Sequence, residues 1–210
     1  MVGRSQRRRG ALSLPLAPLG RETVHVVVDM QRLFAEDTSW RVPTLPDIVA
    51  PILKLIEHRP ERTLYTRFIT PPSLPAAQGA WQVFYRHWPQ MTQDRLPPAI
   101  FDLIAPIASR ASPATLIDKE GFSAFSGSSF QAALRNLGAQ ALVLSGVETD
   151  VCVLATALEA TDRRLRVVIV ADAVASYSPA GHRTALDHVF KRYQPMIDVA
   201  TSADIIAAWQ

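Results

Sequence analysis

Apolar and polar positions along this chain switch repeatedly between two periods. Thr23 to Val28 (TVHVVV) is a β-branched run that ends at Asp29, the pattern of a strand covered on both faces. Pro46 to Glu57 then takes helical spacing through Ile48, Ile52, Leu55 and Ile56. Arg62 to Phe68 reads as a second strand and Ala114 to Ile117 as a third. Ser128 to Leu137 reads as a helix stopped by Gly138. Ala141 to Ser145 (ALVLS) is a buried strand, followed by a helix from about Asp150 to Arg163. Arg166 to Ala171 is a strand, Pro179 to Phe190 a helix, and Met196 to Ala200 and Ala203 to Trp209 finish the series. This order predicts a three-layer α/β/α fold with a doubly wound, mostly parallel six-stranded sheet of Rossmann-like topology.

One segment breaks the rhythm. Residues 69–113 are too long for a simple crossover and are rich in proline and aromatics. Within them Trp81, Tyr85 and Trp88 fall at i, i+4 and i+7, so they form one helical stripe. Core, subunit interface and lid over a pocket are all open roles for that stripe. Residues 23–210 are read as a single domain and residues 1–22 as a flexible basic arm.

Charge changes the picture little. The formal net charge of +3 is concentrated in the arm, where Arg4, Arg7, Arg8, Arg9 and Arg21 face only Glu22. The body is therefore close to neutral and offers no stripe for nucleic acid. No apolar run is long enough to span a membrane, and Pro15 and Pro18 interrupt the run after the arginines. The composition, 48% hydrophobic and 20% charged, is that of a globular domain with a sizeable core. A lone cysteine, Cys152, excludes an internal disulfide and any CxxC pair and is consistent with a reducing cytoplasm.

The candidate chemistry collects at strand ends, where an open parallel sheet binds ligands. Asp29 follows the first strand, Lys119 the third (IDKEGFSAF) and Cys152 the fourth (SGVETDVCV) at a helix start. A helix N-terminus and a nearby ammonium both favour a thiolate, and Thr149 or Asp150 is placed to cap that helix. Asp29 is placed to take the thiol proton and return it to a leaving amine. Phe34 and Phe125 lie close in sequence to Asp29 and Lys119, so they are candidate walls of a substrate site, with aromatic core packing as the alternative; Trp81 and Tyr85 join them if the insert is a lid. There is no GxGxxG and no GxxxxGK[ST], so no nucleotide cofactor is expected. Met30 and Gln31 after Asp29 do not match an aspartyl phosphatase.

The DMQ triplet at Asp29, the lysine of DKEGFSAF and above all GVETDVCV resemble the isochorismatase-like cysteine hydrolases, in the same element order from Thr23 to the C-terminus. The resemblance implies catalytic roles for Asp29, Lys119 and Cys152. It further implies a non-proline cis peptide at Val147–Glu148 and an oxyanion hole made by the Glu148 and Cys152 N–H groups. The Glu148 side chain has no role in that picture and is expected to be an exposed carboxylate. The implied reaction is hydrolysis of a C–N bond in a small amide, urea or carbamoyl compound through a thioester. An ether-cleaving isochorismatase and a non-catalytic assembly relative are the alternatives. Members that act on nicotinamide carry an Asp-x-His and a further His after the second strand. Here that place reads TRFITPPSLP, so no metal is expected and nicotinamide is a doubtful substrate. His182 is expected to be structural. Homo-oligomers, dimers or larger, are a further implication of the family.

Overall fold

The computed structural model describes residues 16–210. In chain order it contains β1 (Thr23–Val28), α1 (Arg32–Ala35), α2 (Leu45–His58), β2 (Thr63–Phe68), α3 (Ala80–His87), α4 (Ala105–Ala108), β3 (Leu116–Lys119), α5 (Ser128–Asn136), β4 (Ala141–Val147), α6 (Leu154–Asp162), β5 (Arg166–Ala175), α7 (Pro179–Thr184), β6 (Ile197–Ala200) and α8 (Ser202–Ala208). The sheet order is β3-β2-β1-β4-β5-β6 and all its pairings are parallel. The order runs one way from β1 and the other way from β4. The switch point of a doubly wound sheet therefore lies between those two strands.

Alternation along each strand separates two cores. Val24, Val26 and Val28 of β1 join Leu142 and Leu144 of β4 beneath Phe130, Leu134, Val153 and Ala157 of the α5–α6 layer. Val27, Val143 and Val168 face the other way, onto Ile48, Ile52 and Leu55 of α2 and Ile205 of α8. Burial on both faces is why the strands read as continuous apolar runs rather than alternating ones. Residues 16–22, part of the expected flexible arm, are instead tied to the body. Leu19 bridges to Trp209, and the Arg166 guanidinium donates to the carbonyls of Pro18 and Ala17. Residues 1–15 of that arm lie outside the described residues.

Several boundaries differ from the sequence expectation. β4 runs two residues further, to Val147, and β5 reaches Ala175, because a register shift between Leu144 and Gly146 lets the two strands pair again beyond it. β3 starts later and carries Lys119 as its last residue. The turn Thr149–Val153 is a widened π-type turn before α6. The helix expected from Pro179 to Phe190 is divided into α7, a π segment (Ala185–Val189) and a 3-10 segment (Phe190–Tyr193). Among the described residues no helix is long and apolar enough to cross a membrane.

Candidate active site

Register places the three reactive side chains. Val28 pairs with Gly146 across β1 and β4, so Asp29 emerges beside the β4 end; Phe68 pairs with Lys119 across β2 and β3. Asp29 has φ 51, a left-handed conformation that Asp tolerates better than most residues. Its N–H bonds the Thr66 carbonyl at 3.2 Å, and its Oδ1 accepts from Thr66 Oγ1 at 2.7 Å. Gly146 permits the close approach: with φ 104, a Cβ there would lie 2.0 Å from the Val28 carbonyl oxygen.

The three side chains meet. Lys119 Nζ lies 2.8 Å from Asp29 Oδ2, and both side chains are fully shielded from solvent. The same ammonium donates to the Gly121 carbonyl at 3.0 Å and to Cys152 Sγ at 3.4 Å, and it sits 4.8 Å from the centre of the Phe68 ring. Apart from this ion pair, Asp29 Oδ2 has no donor among the described residues. It therefore keeps a lone pair available for the thiol proton. Burial works against the Lys119 charge, yet Asp29 and Cys152 outweigh it and hold the ammonium above its ordinary pKa. Burial pushes the Cys152 thiol up to about 12; Lys119 pulls it back, while the nearby charge of Asp29 raises it. Lys119 thus favours the thiolate as expected, and burial opposes it more strongly. At 5% exposure, desolvation dominates the helix start and the ammonium, and the proton stays on sulfur until a base removes it.

The peptide Val147–Glu148 is cis. The N–H groups of Val151 and Val153 both bond the Glu148 carbonyl and fold the chain tightly around Cys152. Neither Thr149 nor Asp150 caps the helix. Thr149 Oγ1 is engaged with His182 Nδ1 at 2.9 Å, and Asp150 Oδ1 accepts from Ser176 Oγ at 2.6 Å. A side chain at Gly181 would collide with Asp150, so the first turn of α7 locks against this loop. His182 sits in that lock. The Glu148 carboxylate is half-buried rather than exposed. It accepts the Tyr177 N–H at 2.7 Å, and burial raises its pKa.

Trp81 and Tyr85 of the insert do come to the site. Trp81 lies 4.7 Å from Phe122 and 6.1 Å from Phe68, centre to centre. Trp40 completes the box, 6.0 Å from Phe68, 6.3 Å from Tyr85 and 6.2 Å from Trp88. The stripe thus packs on other aromatic rings of its own chain. Phe34 and Phe125 take the core alternative. Phe34 is buried in the α2-side core. Phe125 lies 4.8 Å from Phe130 and beneath the Arg163 guanidinium, under α5 and α6. Sequence reading missed Trp40, Phe68, Phe122 and Gln31. Gln31 donates to the carbonyls of Phe68 and Phe101 and accepts the Phe68 N–H, tying the end of β2 to the insert. Its place in the DMQ triplet was the available signal.

Two cavities lie elsewhere. One of about 800 Å³ is bounded by Arg32, Arg67, Asp102 and Leu116, and one of about 320 Å³ by Asp47, Asp172, Tyr177 and His182. Neither is lined by Asp29, Lys119 or Cys152. Among the described residues no three His, Cys, Asp or Glu side chains converge as a metal site would require.

Known proteins share this arrangement of elements. A cysteine hydrolase from Pseudomonas syringae pv. phaseolicola 1448A superposes with TM-score 0.75 at 23% identity, covering 96% of this chain and 98% of that one. N-carbamoylsarcosine amidase from Thermoplasma acidophilum superposes with TM-score 0.68 at 26% identity, covering 86% of this chain and 96% of the other. An uncharacterized isochorismatase family protein, PncA, of Bacillus subtilis (strain 168) is 42% identical over 72 residues, which are 34% of this chain and 39% of that protein. The curated relatives are thus matched over less than two thirds of their length. The isochorismatase domain model matches residues 23–203, and the chain belongs to the isochorismatase family.

Proposed function

We propose that the protein is a cysteine hydrolase that cleaves a C–N bond of a small amide, urea or carbamoyl compound. The observation that carries this reading is the buried contact of Lys119 Nζ with both Asp29 Oδ2 and Cys152 Sγ. Asp29 takes the thiol proton as sulfur attacks the substrate carbonyl carbon. The carbonyl oxygen becomes negative and is held by the Glu148 and Cys152 N–H groups. Asp29 passes the proton to the departing nitrogen, which leaves as ammonia or an amine. Water, deprotonated by Asp29, then attacks the acyl-sulfur carbon and releases the acid and the thiol. Lys119 stays protonated throughout and steadies both anions. A thiol held near 12 supports this division of labour, because sulfur needs a base at the moment of attack. The similarity to N-carbamoylsarcosine amidase favours carbamoyl and amide compounds as the first ones to try.

Ammonia release across small amides, ureas and carbamoyl compounds tests the reading. Cys152→Ala should lose about a thousandfold or more of the turnover while its circular dichroism stays that of the parent. Mass spectrometry of the stalled parent should find the acyl group on Cys152. Turnover by a folded Cys152→Ala protein would remove the cysteine mechanism. An acyl adduct without nitrogen release would remove the C–N assignment alone.

A further inference from the structure

Among the rings of the aromatic box beside Lys119, the Tyr85 hydroxyl is the fully buried polar group without a partner among the described residues. Tyr85 is 1% exposed, and its hydroxyl has no hydrogen bond among the described residues. Its ring lies 6.1 Å from Trp81 and 6.3 Å from Trp40. Trp81 in turn rests against Phe68, whose ring lies below the Lys119 ammonium. A buried hydroxyl that has lost water and gained no partner destabilises the fold, and phenylalanine would fill the same space without that cost. Two neighbouring polar side chains are committed: Lys119 to Asp29, Gly121 and Cys152, and Gln31 to the backbone of Phe68 and Phe101. Burial and the nearby charges of Cys152 and Glu120 raise the phenol pKa, so the hydroxyl remains a donor at every ordinary pH.

We propose that the Tyr85 hydroxyl is the specificity-determining donor of the substrate site, and that the substrate is an uncharged amide with a flat, apolar body bearing a hydrogen-bond acceptor besides its scissile carbonyl. The amide rests on the cysteine-hydrolase reading. The acceptor and the flat neutral body rest on the box itself. Ring faces suit a flat apolar group, and the buried Tyr85 hydroxyl suits one acceptor. A carboxylate would find the Lys119 charge already neutralised by Asp29. An ammonium would find the face of Phe68 already occupied by Lys119.

Calorimetric titration of the Cys152→Ala protein, which holds the amide without turning it over, tests this. The probes are benzamides carrying a methoxy, ethyl, carboxylate or aminomethyl group at each ring position. Methoxy and ethyl have nearly the same shape, and only methoxy accepts a hydrogen bond. At one ring position methoxy should bind about tenfold tighter than ethyl, and both charged compounds should bind more weakly than either. Tyr85→Phe in the same background should erase the methoxy preference and melt at the same or a higher temperature. The proposal is overturned if no benzamide binds, if methoxy holds no advantage, if the advantage survives Tyr85→Phe, if a charged compound binds tightest, or if Tyr85→Phe melts lower, since the hydroxyl would then have an internal partner. Ammonia release by the parent protein is read separately. Tyr85-dependent binding without ammonia leaves the donor assignment standing and removes the amidase reading.

Discussion

Cys152, Lys119 and Asp29 form a chain in which each group's protonation depends on the next. The ammonium is the one element that lowers the thiol pKa against burial. Lys119→Met should therefore move the alkylation of Cys152 by iodoacetamide to higher pH, since a stabilising positive neighbour is lost. It should also lower stability by about 3–5 kcal/mol, because Asp29 would remain buried without its counter-ion. Alkylation followed across pH and urea unfolding read the two effects separately, and an alkylation profile that overlays the parent would remove Lys119 as the electrostatic partner. These three residues were legible because each sits next to a strand-end signal in a specific local motif. Phe34 and Phe125 were chosen by proximity in sequence alone. Side chains at successive positions of a turn point in different directions, so that proximity carried no information about which layer each ring enters. Trp40 meets Phe68, and Phe68 meets Phe122, across separations of 28 and 54 positions in the chain, and no local pattern announces such a meeting.

Gly146 shows how strand pairing builds the site. Its φ of 104 and its contact with the Val28 carbonyl let β4 pass close to β1 just before the turn that carries Cys152. Gly146→Ala should push the strands apart, cost about 3 kcal/mol or more in urea unfolding, and misplace Cys152 relative to Asp29. A variant as stable and active as the parent would show that the close approach is dispensable. The alternation of strands and helices was legible because runs buried on both faces leave a strong apolar signal. The strand ends were not. β5 continues past Asp172, a residue that reads as a stop, because that carboxylate accepts the Ser202 N–H and hydroxyl at the start of α8. β3 carries charged Asp118 because that residue pairs with Arg67 on the neighbouring strand. In both places a polar residue is satisfied by a partner distant in sequence, which apolar periodicity does not register.

At the scale of the whole molecule, stability is linked to pH through a residue far from the chemistry. His25 is fully buried in β1, its Nε2 lies 2.8 Å from Ser145 Oγ, and burial lowers its pKa from 6.5 to about 3. The unfolded chain binds a proton near pH 6.5 and the folded protein does not. The His25 contribution is therefore fully present above pH 6.5 and is lost as pH falls toward 3, at up to about 1.4 kcal/mol per pH unit. Urea unfolding at several pH values should show this slope, and His25→Gln should flatten it between pH 6 and 4. An unchanged slope would place the linkage in other groups. The aromatic box has a consequence at the same scale. Three of the four tryptophans, Trp40, Trp81 and Trp88, belong to it, whereas Trp209 packs against His58 beside the chain terminus. The molecule thus carries a built-in optical gauge. Light emitted by three indoles changes when a guest displaces or stacks on their rings, while the fourth supplies a steady reference, so arrival and departure can be timed without a label.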